Sequence, residues 1–98
     1  SEDEEEERAR LERLEKRRGE VRRHKTGKTG VAKIVQYMLA SPGPRSRAWM
    51  EENIKKIAGI PFHRQMVEGA WKAGKYTTYG PLLVETVDGI DLHRDYKE

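Results

Sequence analysis

The chain has 98 residues, of which 38% are charged and only 35% are hydrophobic. This length supports one domain with an extension. No apolar run approaches the roughly 20 residues that a membrane-spanning helix needs, so no membrane partner is predicted. Cysteine is absent, which excludes disulfides, zinc-thiolate sites and cysteine nucleophiles. The first residues are acidic where a signal or transit peptide is basic, which favours an intracellular protein.

The charge is unevenly distributed along the chain. The formal net charge is only +3, but residues 25–80 contain ten basic and three acidic residues, a net +7. Residues 1–24 carry a net −1 and residues 81–98 a net −3. A basic centre between acidic ends is typical of a protein that binds an acidic partner, above all nucleic acid.

The first segment, residues 1–23, is predicted to be a charged helical extension. Good helix formers dominate it, and acids repeatedly stand four residues before bases. Leu11, Leu14 and Val21 share a heptad seam that Arg18 interrupts. We expect a solvated helix; the alternative is a helix that binds a protein partner through Leu11 and Leu14.

Residues 24–30, HKTGKTG, are predicted to form a basic flexible hinge because two glycines stand among short polar residues. Lys25 and Lys28 in this hinge are candidate phosphate contacts. The segment lacks the GxxxxGK[ST] spacing of a phosphate-binding loop and follows no apolar strand, so no nucleotide cofactor is predicted.

Residues 31–98 are predicted to form one domain that starts with two helices. Thr29 caps the first helix and Ser46 caps the second, which Gly59 ends. The first helix has one apolar face, made by residues at helical spacing: Val31, Ile34, Val35, Met38 and Leu39.

A third helix is predicted from Pro61 to about Gly74, since proline favours the first position of a helix. Its inward residues are Phe62, Met66, Ala70 and Trp71. Residues 75–79, rich in Tyr and Thr, are predicted to be a strand.

The last elements are predicted to form a hairpin, for which two registers compete. A two-residue loop at Asp88-Gly89 sets Glu85 opposite Leu92 and mixes the faces. A three-residue loop, 87–89, pairs Thr86 with Ile90 and keeps one face apolar, so it is preferred.

Three helices, a glycine-marked turn between the second and third, and a final hairpin resemble a winged helix-turn-helix domain. The resemblance covers about residues 29–96. Its centre is the run ENIKKIAGIP at 52–61, followed by FHRQMVEGAWKAGKY at 62–76. It implies a mainly α fold with a small β-hairpin. In such domains the third helix enters the DNA major groove and the hairpin, or wing, contacts the DNA backbone.

By that resemblance the protein binds duplex DNA. His63, Arg64 and Gln65 open the third helix and are the expected base readers, because Arg pairs with guanine and Gln with adenine in the major groove. The expected contacts to the sugar–phosphate backbone are Lys25, Lys28, Arg45, Arg47, Lys72 and Lys75.

An alternative is a scaffold subunit of a large assembly that contacts RNA or an acidic protein surface, since fold alone does not decide function. A homodimer is compatible with DNA binding at paired half-sites. Asp91, His93 and Asp95 alternate along one strand, but one histidine and two acids are a poor metal ligand set. No metal, cofactor or catalytic residue is predicted, and an enzyme is not expected.

Overall fold

A computed structural model of the protein describes residues 1–68 and 74–98. Within these ranges it contains three α-helices, two 3₁₀ turns and a two-stranded antiparallel hairpin. The predicted class, mainly α with a small β-hairpin, is confirmed. The elements are α1 (Glu2–Thr26), α2 (Gly30–Ala40), α3 (Arg47–Ala58), β1 (Leu83–Thr86) and β2 (Gly89–Leu92), with 3₁₀ turns at Arg64–Met66 and Arg94–Tyr96.

Helix α1 is longer than predicted and takes in the first part of the expected hinge. Its last turn closes where the Gly27 N–H donates to the Arg23 carbonyl at 2.7 Å. The Gln36 side chain on α2 then donates to the carbonyls of His24 (3.3 Å) and Gly27 (2.8 Å). The predicted hinge over 24–30 is therefore helical as far as Thr26, and α2 satisfies carbonyl groups at the end of α1.

The two halves of α1 have different surroundings. Residues 1–16 are all exposed, as expected for a solvated helix. Arg17, Glu20 and Val21 are buried, and this second half packs on α2 and on the 3₁₀ turn Arg94–Tyr96. The prediction of a solvated extension holds only for the first half.

The predicted caps of the next two helices are confirmed. The Thr29 hydroxyl accepts from the Ala32 N–H at 3.1 Å, and the Ser46 hydroxyl accepts from the Trp49 N–H at 3.1 Å. Gly59 ends α3 in the left-handed conformation, with φ of 75°. These ends fix how α2 and α3 pack, and the core between them is fully buried at Ile34, Val35, Met50 and Ile54.

The predicted third helix does not form over residues 61–68. This stretch contains a single 3₁₀ turn, and Val67 after it is extended. Val67 forms a parallel bridge with Leu83, and the Glu68 N–H donates to the Leu83 carbonyl at 2.8 Å. Pairing with β1 outweighs the local helix signal here. Ala70, Trp71 and Lys72 of the predicted helix lie outside the described residues.

The hairpin adopts neither of the predicted registers. Leu83 pairs with Leu92 and Glu85 with Ile90, around a two-residue loop at 87–88. The reason lies outside the hairpin: the Arg45 and Ile90 backbones exchange N–H···O bonds of 2.8 and 2.7 Å. This third segment fixes β2 and, through it, the register.

The predicted strand at 75–79 is absent, and these residues form bends. Their backbone instead binds a side chain of α1: the N–H groups of Thr78 and Tyr79 donate to the buried Glu20 carboxylate. A side chain far away in sequence thus replaces the expected strand partner.

Candidate nucleic-acid interface

Two helix ends meet closely beside the turn between α1 and α2. A Cβ atom on Gly30, the first residue of α2, would lie only 2.8 Å from the Ala58 carbonyl oxygen at the end of α3. Only glycine permits this approach. Lys28 precedes Gly30 by two residues, and Lys55 and Lys56 occupy the last turn of α3. The contact therefore brings basic residues from both helix ends to one region.

The segment after α3 extends this basic region. Ile60 touches the Gly30 position, at 3.1 Å from a Cβ placed there. Arg64 follows Ile60 by four residues and so lies within about 14 Å of it. The His63 and Tyr76 rings lie 6.0 Å apart, and the Lys75 Nζ is 5.6 Å from the Tyr76 ring centroid. Arg64 and Lys75 are the chain neighbours of these two rings, so the ring contact joins the two segments that carry them.

We call this set of residues the basic strip. All its members are exposed, and no carboxylate of the described residues forms an ion pair with any of them. Lys33 stands on α2 one helical turn after Gly30 and is added to the strip. The strip consists of Lys28, Lys33, Lys55, Lys56, Arg64 and Lys75. Exposed cations without ion-pair partners contribute a positive potential that attracts polyanions.

Arg45, a predicted backbone contact, is engaged within the protein. Its guanidinium donates to the carbonyls of Ser41 (2.6 Å) and Gly43. It also lies over the Trp49 ring at 5.1 Å and the Tyr37 ring at 6.0 Å. Arg45 therefore links α2 to α3 through contacts within the protein. These contacts do not support its predicted role as a phosphate contact.

Two other predicted contacts are partly occupied. Arg47 lies 5.7 Å from the Phe62 ring and 3.8 Å from the Glu85 carboxylate. Lys25 is half-buried and donates to the Glu98 backbone oxygen at 3.0 Å. Neither belongs to the basic strip.

The predicted base readers do not stand on a helix. The His63 Nδ1 accepts from the Gln65 N–H at 3.1 Å, which starts the 3₁₀ turn. Gln65 is half-buried, and among the described residues its Oε1 is a buried oxygen without a hydrogen-bond partner. Only Arg64 points an exposed polar group outward. The expected major-groove helix is thus not formed by His63, Arg64 and Gln65, while Lys72 lies outside the described residues.

Sequence reasoning did not single out Lys33, Lys55 or Lys56 as candidate contacts. The segment charge of +7 is the one sequence signal that points to them. Nothing in the sequence indicates the approach of Gly30 to Ala58, because glycine at a helix start has many uses.

The hairpin lacks the charge of a DNA-contacting wing. Glu85 and Asp88 are exposed at and beside its loop. Asp91 on β2 pairs with Lys97 at 2.6 Å. These carboxylates repel phosphate, so the hairpin does not extend the basic strip.

The predicted partner residues of α1, Leu11 and Leu14, lie on its projecting half. Their side chains are 52% and 40% exposed. Across residues 1–68 and 74–98, no group of three or more metal-ligating side chains is present, and no helix has the length and apolar character to cross a membrane.

Comparison with protein-family models, with curated proteins and with solved structures finds no match to this chain.

Proposed function

We propose that this protein binds the sugar–phosphate backbone of a nucleic acid, duplex DNA in the first place, through the basic strip. The observation that supports the proposal is a set of six exposed cations without an ion-pair partner among the described residues. They lie on or beside segments that two contacts join, the approach of Gly30 to Ala58 and the contact of the His63 and Tyr76 rings. Binding of this kind draws its free energy from the release of counterions condensed on the phosphates.

The composition of the strip favours backbone contacts over base reading. Five of its six members are lysines, which bind phosphate as flexible point charges, whereas the rigid guanidinium fork of arginine is better suited to fixed bidentate contacts. Since His63 and Gln65 are engaged in the 3₁₀ turn, Arg64 is the one member suited to a base edge. We therefore expect strong salt dependence and a weak sequence preference.

The test is a titration of labelled duplex DNA, structured RNA and single-stranded DNA by fluorescence anisotropy at several salt concentrations. For four phosphate contacts, log K against log salt should fall with a slope of about −3.6 on duplex DNA. The double variant Lys55→Glu/Lys56→Glu should lose about tenfold or more in affinity at low salt, because two contacts become repulsive.

The matched control is Arg13→Glu/Arg94→Glu. Both arginines are exposed and unpaired among the described residues, lie outside the strip, and change the net charge by the same amount. This control should keep most of the affinity. Equal losses in the two variants would show a general charge effect without a site, and absence of binding to every probe at low salt would overturn the proposal. Tighter binding to structured RNA than to duplex DNA would favour the alternative, an RNA-contacting scaffold.

A further inference from the structure

Helix α1 is divided into two halves of opposite charge. Residues 1–12 contain seven acidic and two basic residues, a net −5. Residues 13–25 contain seven basic and two acidic residues, a net +5. The acidic half projects fully exposed, while the basic half packs against the rest of the protein. A helix of this kind is complementary to a second copy of itself turned end for end.

One stripe along α1 repeats the same division with coiled-coil spacing. Its positions alternate in steps of three and four residues, which keeps them on one helix face. It begins with two acids, continues with the two exposed leucines and ends in the basic half: Glu4, Glu7, Leu11, Leu14, Arg18, Val21 and Lys25. The leucines stand in the middle, where a twofold axis would cross.

An antiparallel pair with its axis between Glu12 and Arg13 brings complementary residues together. Leu11 of one copy then faces Leu14 of the other, and Glu7 faces Arg18. A parallel pair would also join the leucines, but it would set each acidic half against the other. Charge therefore favours the antiparallel arrangement.

The basic half of α1 has an open groove that can receive acidic side chains of a second copy. A groove of about 350 Å³ runs along the basic half of α1, where Arg18, Arg22 and Lys25 line it together with the C-terminal residues Asp95 and Glu98. Asp95 is already paired with Arg17, at 3.0 Å. The cations of the groove thus outnumber its carboxylates, as an acidic helix requires.

We propose that α1 pairs antiparallel with α1 of a second copy of this chain, with Leu11 and Leu14 at the centre and Glu7 against Arg18. From residue 7 to residue 18, where every side chain of the stripe is exposed, the shared seam is about 17 Å long. The existing ion pairs of these side chains, Glu7 with Arg10 and Arg18 with Glu15, are exposed and one helical turn apart, so they exchange readily for pairs between copies. This proposal is independent of nucleic-acid binding.

The first test is sedimentation equilibrium without nucleic acid over a wide range of protein concentration. The mass should rise from one chain to two, and Leu11→Gln/Leu14→Gln should weaken the dimer about tenfold or more, because the apolar centre of the pair is lost. Val87→Gln is the matched control, since Val87 is 99% exposed in the hairpin loop and should leave the dimer unchanged. Circular dichroism should show equal helix content in all three proteins. A chain that stays monomeric up to millimolar concentration overturns the proposal.

The second test is charge exchange. Glu7→Arg alone and Arg18→Glu alone should each weaken the dimer, since each sets like charges opposite one another. The double variant Glu7→Arg/Arg18→Glu should regain most of the dimer affinity. Failure of the double variant to recover, while the single variants weaken the dimer, would exclude the proposed register.

The third test is orientation. Because the chain has no cysteine, Glu4→Cys provides a unique site for a spin label. In the antiparallel pair the two labels are offset by about 25 Å along the helix axis, whereas a parallel pair brings them within roughly 10 Å. The short distance would overturn the antiparallel arrangement.

Discussion

Arg17 and Glu20 form a buried ion pair on α1, with the Arg17 Nη1 3.4 Å from the Glu20 Oε2, and both side chains hold the backbone of one loop. The Glu20 carboxylate accepts from the Tyr79 N–H at 2.8 Å, and Arg17 donates to the Gly80 carbonyl at 2.9 Å. The loop at 78–81 forms no strand, so its polar groups need these partners. The pair therefore joins α1 to a segment about sixty residues away in sequence.

Glu20→Ala should lower the free energy of unfolding by about 3 kcal/mol, because it leaves two loop N–H groups unpaired and leaves buried Arg17 with Asp95 as its one carboxylate partner among the described residues. Urea denaturation measures the loss. Glu15→Ala, which removes the exposed pair with Arg18, is the matched control and should stay within about 0.5 kcal/mol of wild type. Similar losses in the two variants would contradict the role assigned to Glu20.

Gly89→Ala should be more destabilising than Gly59→Ala, although both glycines have positive φ. A Cβ on Gly89 would lie 2.6 Å from the Arg45 carbonyl oxygen, whereas nothing lies within 4 Å of a Cβ on Gly59. Gly59→Ala should cost about 1 kcal/mol for the left-handed backbone alone, and Gly89→Ala about 1–3 kcal/mol more for the clash. Thermal unfolding checks the order, with roughly 4–8 °C expected per kcal/mol. Equal shifts would mean that the Arg45–Ile90 bridge does not constrain the hairpin.

His24 should make the protein less stable in mild acid. Its Nδ1 lies 2.8 Å from the Tyr96 hydroxyl, and burial lowers the pKa of His24 below its usual value, with Arg17 and Arg23 acting in the same direction and Glu20 against it. Burial also raises the pKa of Tyr96 to about 12, so this hydroxyl stays protonated beside the imidazole.

Because unfolded His24 gains a proton near pH 6.5 and folded His24 only at lower pH, its stabilising contribution is complete above about pH 6.5 and is lost as pH falls towards the folded pKa. The free energy of unfolding, measured between about pH 7.5 and 5.5, should therefore fall more steeply for wild type than for His24→Gln. Parallel curves for the two proteins would exclude this titration as the cause.

Arg64 and Arg45 should differ in their effect on nucleic-acid binding. Arg64→Ala should reduce the salt slope on duplex DNA by about 0.9, as the loss of one phosphate contact requires. Arg45→Ala should leave that slope unchanged and lower stability by about 1–2 kcal/mol, since its hydrogen bonds and ring contacts lie within the protein. The two variants are compared by anisotropy titration and by urea denaturation. If the salt slope falls equally in the Arg64→Ala and Arg45→Ala variants, Arg45 also contacts the nucleic acid.

The parts of the fold that sequence predicts are those fixed within a few residues. Three residues mark helix ends by their own side-chain or backbone properties, and the structure confirms each as a cap: Thr29, Ser46 and Gly59. The apolar face of α2 follows in the same way from helical spacing. The basic character of the central segment is a property of composition alone.

The remaining features depend on partners distant in sequence. Val67 is extended because β1 pairs with it, and the hairpin register depends on the Arg45 backbone. Arg45 itself shows why candidate sites fail: its type suits phosphate, yet the carbonyls at 41 and 43 and the Trp49 ring occupy it. In the sequence Glu20 resembles the other acids of α1. In the structure its side chain is nearly inaccessible to water, because it binds backbone N–H groups of residues 78 and 79.

The bridge from the Gln36 amide to the carbonyls of His24 and Gly27 decides where the protein opens locally. It couples the end of α1 to α2, so the two cannot separate without losing these bonds and the contacts of Arg17 and Glu20. Amide hydrogens of residues 17–26 should therefore exchange with solvent only when the whole core opens, whereas those of residues 2–14 exchange by fraying. The boundary of the cooperative folding unit thus runs through the middle of a continuous helix.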